Sequence, residues 1–228
     1  MKGLLKNNFY GMIENLKIAL VFVLVLGVVL LISGNATILS AFCLISTPII
    51  AVLSMSCLRK ESSSKWEKYK LTLPVRRKEI VKSQYISHLL LSLSGTVFVA
   101  LFLSITVFIH GNKYFYYGFR DAITLIVGGG VLGILIGAFA YPLYYVWGAG
   151  KTEVISVVSA LGAVAVIMVL SIMVNIISGD DAVSNTLYYA SLIVMLFISL
   201  FTFGVSYILS CSILKHKEYK IAKPAEPV

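Results

Sequence analysis

Residues 18–58 read IALVFVLVLGVVLLISGNATILSAFCLISTPIIAVLSMSCL, and this stretch holds no charged side chain. At about 1.5 Å of rise per residue, a single helix of this length would reach about 60 Å, twice the hydrocarbon thickness of about 30 Å. The chain must therefore turn back near the middle, where Ser33-Gly34-Asn35 is the cluster of helix-breaking residues. The stretch predicts a hairpin of two transmembrane helices, at about 17–33 and 36–58.

The rest of the chain is equally apolar. Of its 228 residues, 59% are hydrophobic and 13% charged, and the mean hydropathy is +0.93. A soluble domain of this size cannot bury so much apolar surface. Because a charge at the bilayer centre costs about 2.5 to 3.5 kcal/mol, the uncharged gaps mark the spans. The predicted fold class is all-α, a polytopic membrane protein with six transmembrane helices. The four remaining spans are predicted at 80–110, 120–147, 153–178 and 185–214.

The basic residues fix the predicted orientation. Seventeen of the 19 lysines and arginines fall on the side that holds both chain ends, and only Lys113 and Arg120 fall on the other. The positive-inside rule therefore places both termini, including the tail at 215–228, in the cytoplasm. The net charge of +9 then reflects topology, and no nucleic-acid partner is expected.

The N-terminal segment, residues 1–16, precedes the first span. Leu5, Phe9, Met12 and Leu16 recur in it at helical spacing, with polar residues elsewhere around the helix. This pattern predicts an amphipathic helix in the inner membrane interface. An ordinary extension of the first transmembrane helix is the alternative.

The polar stretch 59–79 is the longest on the cytoplasmic face. Ser64 and Glu67 form an S-x-x-E capping box, which predicts the start of a short helix. Pro74 ends this helix, because the residue before a proline is forced out of the α region.

Three apolar side chains of that short helix share one side. Trp66, Tyr69 and Leu73 stand at positions i, i+3 and i+7. Such an aromatic surface either lies flat in the inner interface or docks into a groove on a cytoplasmic partner, and the local pattern favours neither.

Two glycine motifs resemble nucleotide-binding loops without their context. Residues 128–133 match G-x-G-x-x-G, but apolar helix flanks them, so we interpret Gly129, Gly133 and Gly137 as a small-residue ridge for helix packing. Residues 150–152 end like a phosphate-binding loop, yet Tyr145 stands where its first glycine should be. A cytoplasmic turn is predicted there.

Chemistry inside the membrane is not expected. All ten Asp and Glu residues lie at or beyond the ends of the predicted helices, whereas ion-driven carriers keep carboxylates near the midplane. Without an acidic partner, His88 is expected to be a packing residue rather than a proton site. Cys43, Cys57 and Cys211 lack metal-ligand spacing, and no H-E-x-x-H motif occurs. The sequence therefore predicts no catalytic, cofactor or metal site, and an energy source outside this chain.

Two stretches resemble permeases of the ABC-2 type. SKWEKY (64–69) and LTLPVRRKEIV (71–81) are similar to the cytoplasmic pattern [KR]-W-[ED]-x-[YF] followed by [LT]-L-P-[VI]-[ST]-R-x-E-[IV]-V. They depart from it at Arg76, which is normally a small polar residue. YPLYYVWGAGK (141–151) resembles P-L-x-[YF]-x-[FY]-G-x-x-K at the end of the fourth helix. Within this type, the chain resembles the small six-helix permeases that export phenol-soluble modulins, bacteriocins and other antimicrobial peptides.

The resemblance implies a permease subunit in a bacterial plasma membrane. Two such subunits, identical or different, would surround a central path and rest on ATPase chains that hold the ATP and Mg. The helix from Ser64 to Thr72 would be the coupling helix, with Trp66 and Tyr69 in the ATPase groove. The residues implied at this ATPase-coupling interface are Glu61, Ser64, Lys65, Trp66, Glu67, Tyr69, Leu73, Pro74, Arg76 and Arg77.

The function expected from this resemblance is ATP-driven export of a hydrophobic or amphipathic peptide, such as a toxin, bacteriocin or antimicrobial peptide. The alternative is a non-transporting immunity or sensor module that binds peptides or anchors a partner at the membrane. A secondary carrier ranks third. A neighbouring gene for a free-standing ATPase would favour transport.

Overall fold

A computed structural model describes residues 2–33, 35–63, 76–111, 119–178 and 184–222. Over these ranges the secondary structure is helical and contains no strand, which confirms the predicted all-α class. The six α-helices, in chain order, are α1 (Lys2–Ser33), α2 (Ala36–Ser63), α3 (Arg77–His110), α4 (Phe119–Trp147), α5 (Thr152–Ser178) and α6 (Asn185–Ala222).

The described helices are long and apolar enough to cross a membrane. Each of α2 to α6 qualifies by itself. The two parts of α1, Gly3–Ile13 and Asn15–Val29, meet at a bend of 51° and qualify together, which gives up to six spans. The number of spans agrees with the prediction from the uncharged gaps.

Three helices run further than the predicted spans. The segments predicted as 1–16 and 17–33 form one bent helix, since no glycine or proline interrupts the backbone at Glu14. The second helix continues past Leu58 to Ser63, and the last continues past Leu214 to Ala222. Charged residues limit the apolar length of a span, but they do not stop the backbone from remaining helical in water.

The N-terminal part of α1 buries a different line of residues from the predicted one. Leu4, Asn8 and Met12 are buried, whereas Leu5 and Phe9 are only half-buried. Hydrophobic periodicity alone favours the line that contains Leu5 and Phe9 and assigns Asn8 to the solvent. The position of this segment in the membrane interface stays a prediction.

Polar and glycine residues define the helix ends. The Oδ1 atom of Asn35 accepts hydrogen bonds from the backbone N–H groups of Thr37 (3.1 Å) and Ile38 (3.3 Å), so this residue caps α2. Gly148 ends α4 with a φ of 82°, a conformation that favours glycine. The 3-10 turn Ala149–Lys151 then leads into α5, so the Gly150-Lys151-Thr152 sequence occupies a turn between two helices.

The fourth helix is the centre of the bundle. It packs against α2, α3, α5 and α6, while α1 packs on α2 and α3. Helices α5 and α6 lie against α4 and touch each other little. An apolar groove of about 290 Å³ separates them, between Leu170, Met173 and Ile177 on one side and Val194 and Met195 on the other.

Candidate coupling site

The structure describes the two ends of the implied coupling segment. Glu61 lies in the last turn of α2, Arg76 is the residue before α3, and Arg77 is the first residue of α3. The capping box and the aromatic surface stay predictions, because the remaining residues lie outside the described ranges. Those residues are Ser64, Lys65, Trp66, Glu67, Tyr69, Leu73 and Pro74.

The first turns of α3, directly after the coupling segment, bury an unusual number of polar side chains. Arg76, Arg77, Lys78 and Lys82 are exposed, but the polar residues from Ser83 to His88 are buried in the bundle. Their hydrogen bonds extend to four other helices, and we refer to them together as the α3 hub. The α3 hub comprises Ser83, Gln84, Tyr85, Ser87 and His88, all of which are buried.

Tyr85 joins the α3 hub to α6. Its hydroxyl lies 2.7 Å from the Oγ of Ser206 and 2.8 Å from the Oγ of Ser210. Ser206 donates its proton to the carbonyl oxygen of Ala138 in α4 at 2.5 Å. Tyr85 must therefore donate to Ser206 and accept from Ser210, since each hydroxyl carries one proton. The ring of Tyr85 also packs against that of Phe203, with 4.9 Å between centroids.

His88 joins the α3 hub to α2 and α4 at the same depth. Its Nε2 atom lies 2.9 Å from the carbonyl oxygen of Gly133, and its Nδ1 atom lies 2.7 Å from the Oγ of Ser54. A carbonyl only accepts, so Nε2 carries the proton and Nδ1 accepts from the serine hydroxyl. The imidazole is fully buried, and its role as a packing residue stays a prediction.

Gln84, three residues after the first stretch that resembles ABC-2 permeases, contacts the second such stretch. Tyr145 donates a hydrogen bond to the Oε1 of Gln84, and Tyr141 lies 3.2 Å from the Gln84 carbonyl oxygen and 3.2 Å from the Oγ of Ser54. The rings of Tyr85 and Tyr141 pack at a tilt of 34°, with 4.6 Å between centroids. The start of α3 and the tyrosine-rich end of α4 therefore form one continuous contact.

Asn8 connects the α3 hub to the N-terminal part of α1. Its Nδ2 atom lies 3.4 Å from the Oγ atoms of both Ser83 and Ser87. Asn8 is 1% exposed; these hydroxyls accept from its Nδ2 atom, whereas its Oδ1 atom has no hydrogen-bond partner among the described residues. The α3 hub thus contacts α1, α2, α4 and α6.

The three glycines of the predicted ridge lie in α4, against α2 and α3. A Cβ atom at Gly129 would approach the Thr47 Oγ1 at 3.3 Å, and one at Gly133 would approach the Ala51 Cβ at 3.4 Å. A Cβ atom at Gly137 would lie 2.2 Å from the Nε2 of His88, far inside van der Waals contact. The absence of a side chain at Gly137 is therefore what leaves room for the imidazole.

Sequence reasoning did not single out most of the residues in this network. The sequence contains one indication of this network, the polar run SQYISH at 83–88 within a predicted apolar span. Polar groups buried in a membrane require hydrogen-bond partners, so this run predicts contacts with other helices. The partners lie in four other helices and are far from this run in sequence. They are Asn8, Ser54, Tyr141, Tyr145, Ser206 and Ser210.

We expect Tyr85→Phe to destabilise the purified chain by about 1 to 2 kcal/mol, because hydrogen bonds between membrane helices contribute about 0.6 to 2 kcal/mol each. The loss should appear as a lower midpoint of thermal unfolding in detergent. Tyr10→Phe is the matched control, since Tyr10 is 62% exposed. Equal midpoints for the two variants would show that the contact between Tyr85 and α6 contributes nothing to stability.

The described helices form an integral membrane bundle, and its buried polar network lies towards the end of the bundle where α3 begins. Within the described ranges, no group of three His, Cys, Asp or Glu side chains could hold a metal ion. These features define a multi-pass membrane protein whose helices are joined by a buried network of hydrogen bonds.

A family model described as "ABC-2 family transporter protein" matches residues 3–215. The chain therefore belongs to the ABC-2 transporter family and is the membrane permease subunit of an ABC exporter, a class that associates with an ABC ATPase. No curated protein and no solved structure matches it.

Proposed function

We propose that this chain is the permease of an exporter for a hydrophobic or amphipathic peptide, and that a separate ATPase energises it. The observation that carries the proposal is the position of the carboxylates. Glu79, Asp121 and Glu153 stand in the first turns of α3, α4 and α5, and Glu61 stands in the last turn of α2. Among the described residues, the spans of α2 to α6 hold no carboxylate between their ends that could bind a coupling ion or pair with a polar cargo, and an apolar cargo requires neither.

The α3 hub supports a route for the mechanical step. The coupling segment lies between the end of α2 and the start of α3, so an ATPase that displaces this segment moves α3 first. Tyr85 and His88 link α3 to α6 and to α4 through buried hydrogen bonds. Close-packed interiors transmit such displacements rather than absorb them. In this proposal α3, α4 and α6 move together and open the path between two permease subunits.

The groove between α5 and α6 supports a cargo with an apolar surface. Its described lining is almost entirely apolar, and it includes Met173 from α5 and Met195 from α6. Methionine side chains adapt to irregular apolar partners, which suits peptides of varied sequence. The proposed cargo is therefore an amphipathic helix that reaches the permease from within the bilayer. Both termini and the coupling segment are proposed to face the cytoplasm.

The test is ATP-dependent peptide movement in proteoliposomes that contain the chain and the ATPase encoded beside it. Two fluorescent peptides of identical composition are compared, one amphipathic as a helix and one scrambled. We expect ATP-dependent movement of the amphipathic peptide only, and none with an ATPase that cannot hydrolyse ATP. Tight peptide binding without movement, despite active hydrolysis, would contradict transport and favour the sensor or immunity module.

A further inference from the structure

The inner ends of α3 and α6 enclose a basic pocket of about 510 Å³. Its cationic lining comes from two helices far apart in sequence, with Arg76, Arg77 and Lys78 on one side and Lys215 on the other. Val81 and Leu214 form its apolar wall. The pocket therefore combines four positive charges with a surface that suits hydrocarbon.

The start of α3 adds to the positive potential of this pocket. Arg76 is the residue before the helix, and its side chain makes no capping hydrogen bond. The first backbone N–H groups of a helix lack partners within the helix and carry a partial positive charge. Glu79 is the acidic residue of the first turn, and no acidic side chain belongs to the described lining of the pocket. An anion in this pocket would therefore meet attraction from the side chains and from the helix end.

We propose that this pocket binds the phosphodiester headgroup of an anionic phospholipid from the inner leaflet. Lys215 follows the last apolar residues of the α6 span, and Lys78 precedes the first buried residues of α3, so the pocket lies at headgroup depth. Basic pockets between membrane helices on the cytoplasmic side are suited to such headgroups. Leu214 favours a lipid over a free anion, because it is only half-buried and the glycerol and upper acyl carbons can lie against it.

The lipid would hold α3 and α6 together at the point where the coupling segment joins α3. Tyr85 makes the protein contact between the same two helices, at the hydroxyls of Ser206 and Ser210. The anionic lipid would therefore extend the contact between these two helices towards the cytoplasm. This proposed role of the lipid does not depend on which cargo the permease exports.

The test measures lipid selectivity of the purified full chain by native mass spectrometry, without the ATPase. Phosphatidylglycerol and phosphatidylcholine of equal chain length compete for binding. We expect the unchanged chain to prefer phosphatidylglycerol, and the double variant Arg76→Gln with Lys215→Gln to lose about five-fold in preference for each charge removed. Arg76→Lys with Lys215→Arg keeps both charges and should keep the preference.

The matched control is Lys17→Gln with Lys151→Gln, which removes two exposed charges from the same predicted face but outside the pocket. If the control pair loses as much preference for phosphatidylglycerol as the pocket pair does, the proposal is overturned. Complete displacement of the lipid by inorganic phosphate would overturn it as well, because the pocket would then bind free anions. Unchanged selectivity in the pocket pair would also overturn it, because these cations would then not bind the headgroup.

Discussion

Alanine at both Trp66 and Tyr69 will release the ATPase from the permease. Aromatic anchors at the centre of an interface contribute about 2 to 4 kcal/mol each when they are truncated, which corresponds to about 30-fold to 1,000-fold in affinity. Both side chains fall on one side of the predicted coupling helix, so the double variant removes the whole aromatic surface at once. The measurement is co-purification with the ATPase, together with ATP hydrolysis stimulated by the permease.

The chain contains a matched control for this experiment in its second tryptophan. Trp147 ends α4 and is 42% exposed, so Trp147→Ala makes the same chemical change outside the coupling segment. We expect it to leave ATPase association within about two-fold of the unchanged chain, since single surface contacts contribute little. Retention of the complex and of stimulated hydrolysis in the Trp66 and Tyr69 variant would show that the coupling helix is assigned wrongly.

A methyl group at Gly137 will destabilise the bundle more than a methyl group at any exposed glycine. The added Cβ of Gly137→Ala would lie 2.2 Å from the Nε2 of His88. The imidazole cannot turn away without losing its hydrogen bonds to Gly133 and Ser54. Overpacking costs about 1 to 3 kcal/mol, and the lost hydrogen bonds add to that cost. The combined cost should appear as a lower midpoint of thermal unfolding in detergent.

Gly204→Ala is the control for this change, because nothing lies within 4 Å of the position where its Cβ would be. Alanine is the better helix former, so this variant should be neutral or slightly stabilised. A double-mutant cycle then isolates the contact: in a His88→Ala background, Gly137→Ala should cost far less than it does alone. Equal costs in the two backgrounds would mean that the imidazole does not occupy the space beside Gly137.

The helical class and the number of spans were predictable from the sequence, because a bilayer imposes a simple rule on them. Uncharged stretches of sufficient length must be helices that cross the membrane; in the longest of them, α1 ends at Ser33 and α2 begins at Ala36. Helix ends were less predictable. Lys215 and the residues after it end the apolar span without ending the helix, which continues to Ala222.

The contacts of the α3 hub could not be derived from one sequence. The hydroxyls of Tyr85 and Ser206 meet across 121 positions, and this contact depends on the relative height and rotation of α3 and α6. Neither quantity follows from hydrophobic periodicity, which describes one helix at a time. Asn8 illustrates the same limit, since its polarity predicts exposure until Ser83 and Ser87 are found beside it.

The central claim is that this chain provides the membrane path but does not hydrolyse ATP. A separate ATPase drives it by acting on the segment between α2 and α3. The most direct measurement is ATP hydrolysis and peptide movement in proteoliposomes that contain the chain with and without that ATPase. The account predicts no hydrolysis and no movement from the chain alone, and both activities once the ATPase is present. Hydrolysis by the purified chain, or movement that continues without ATP, would contradict it.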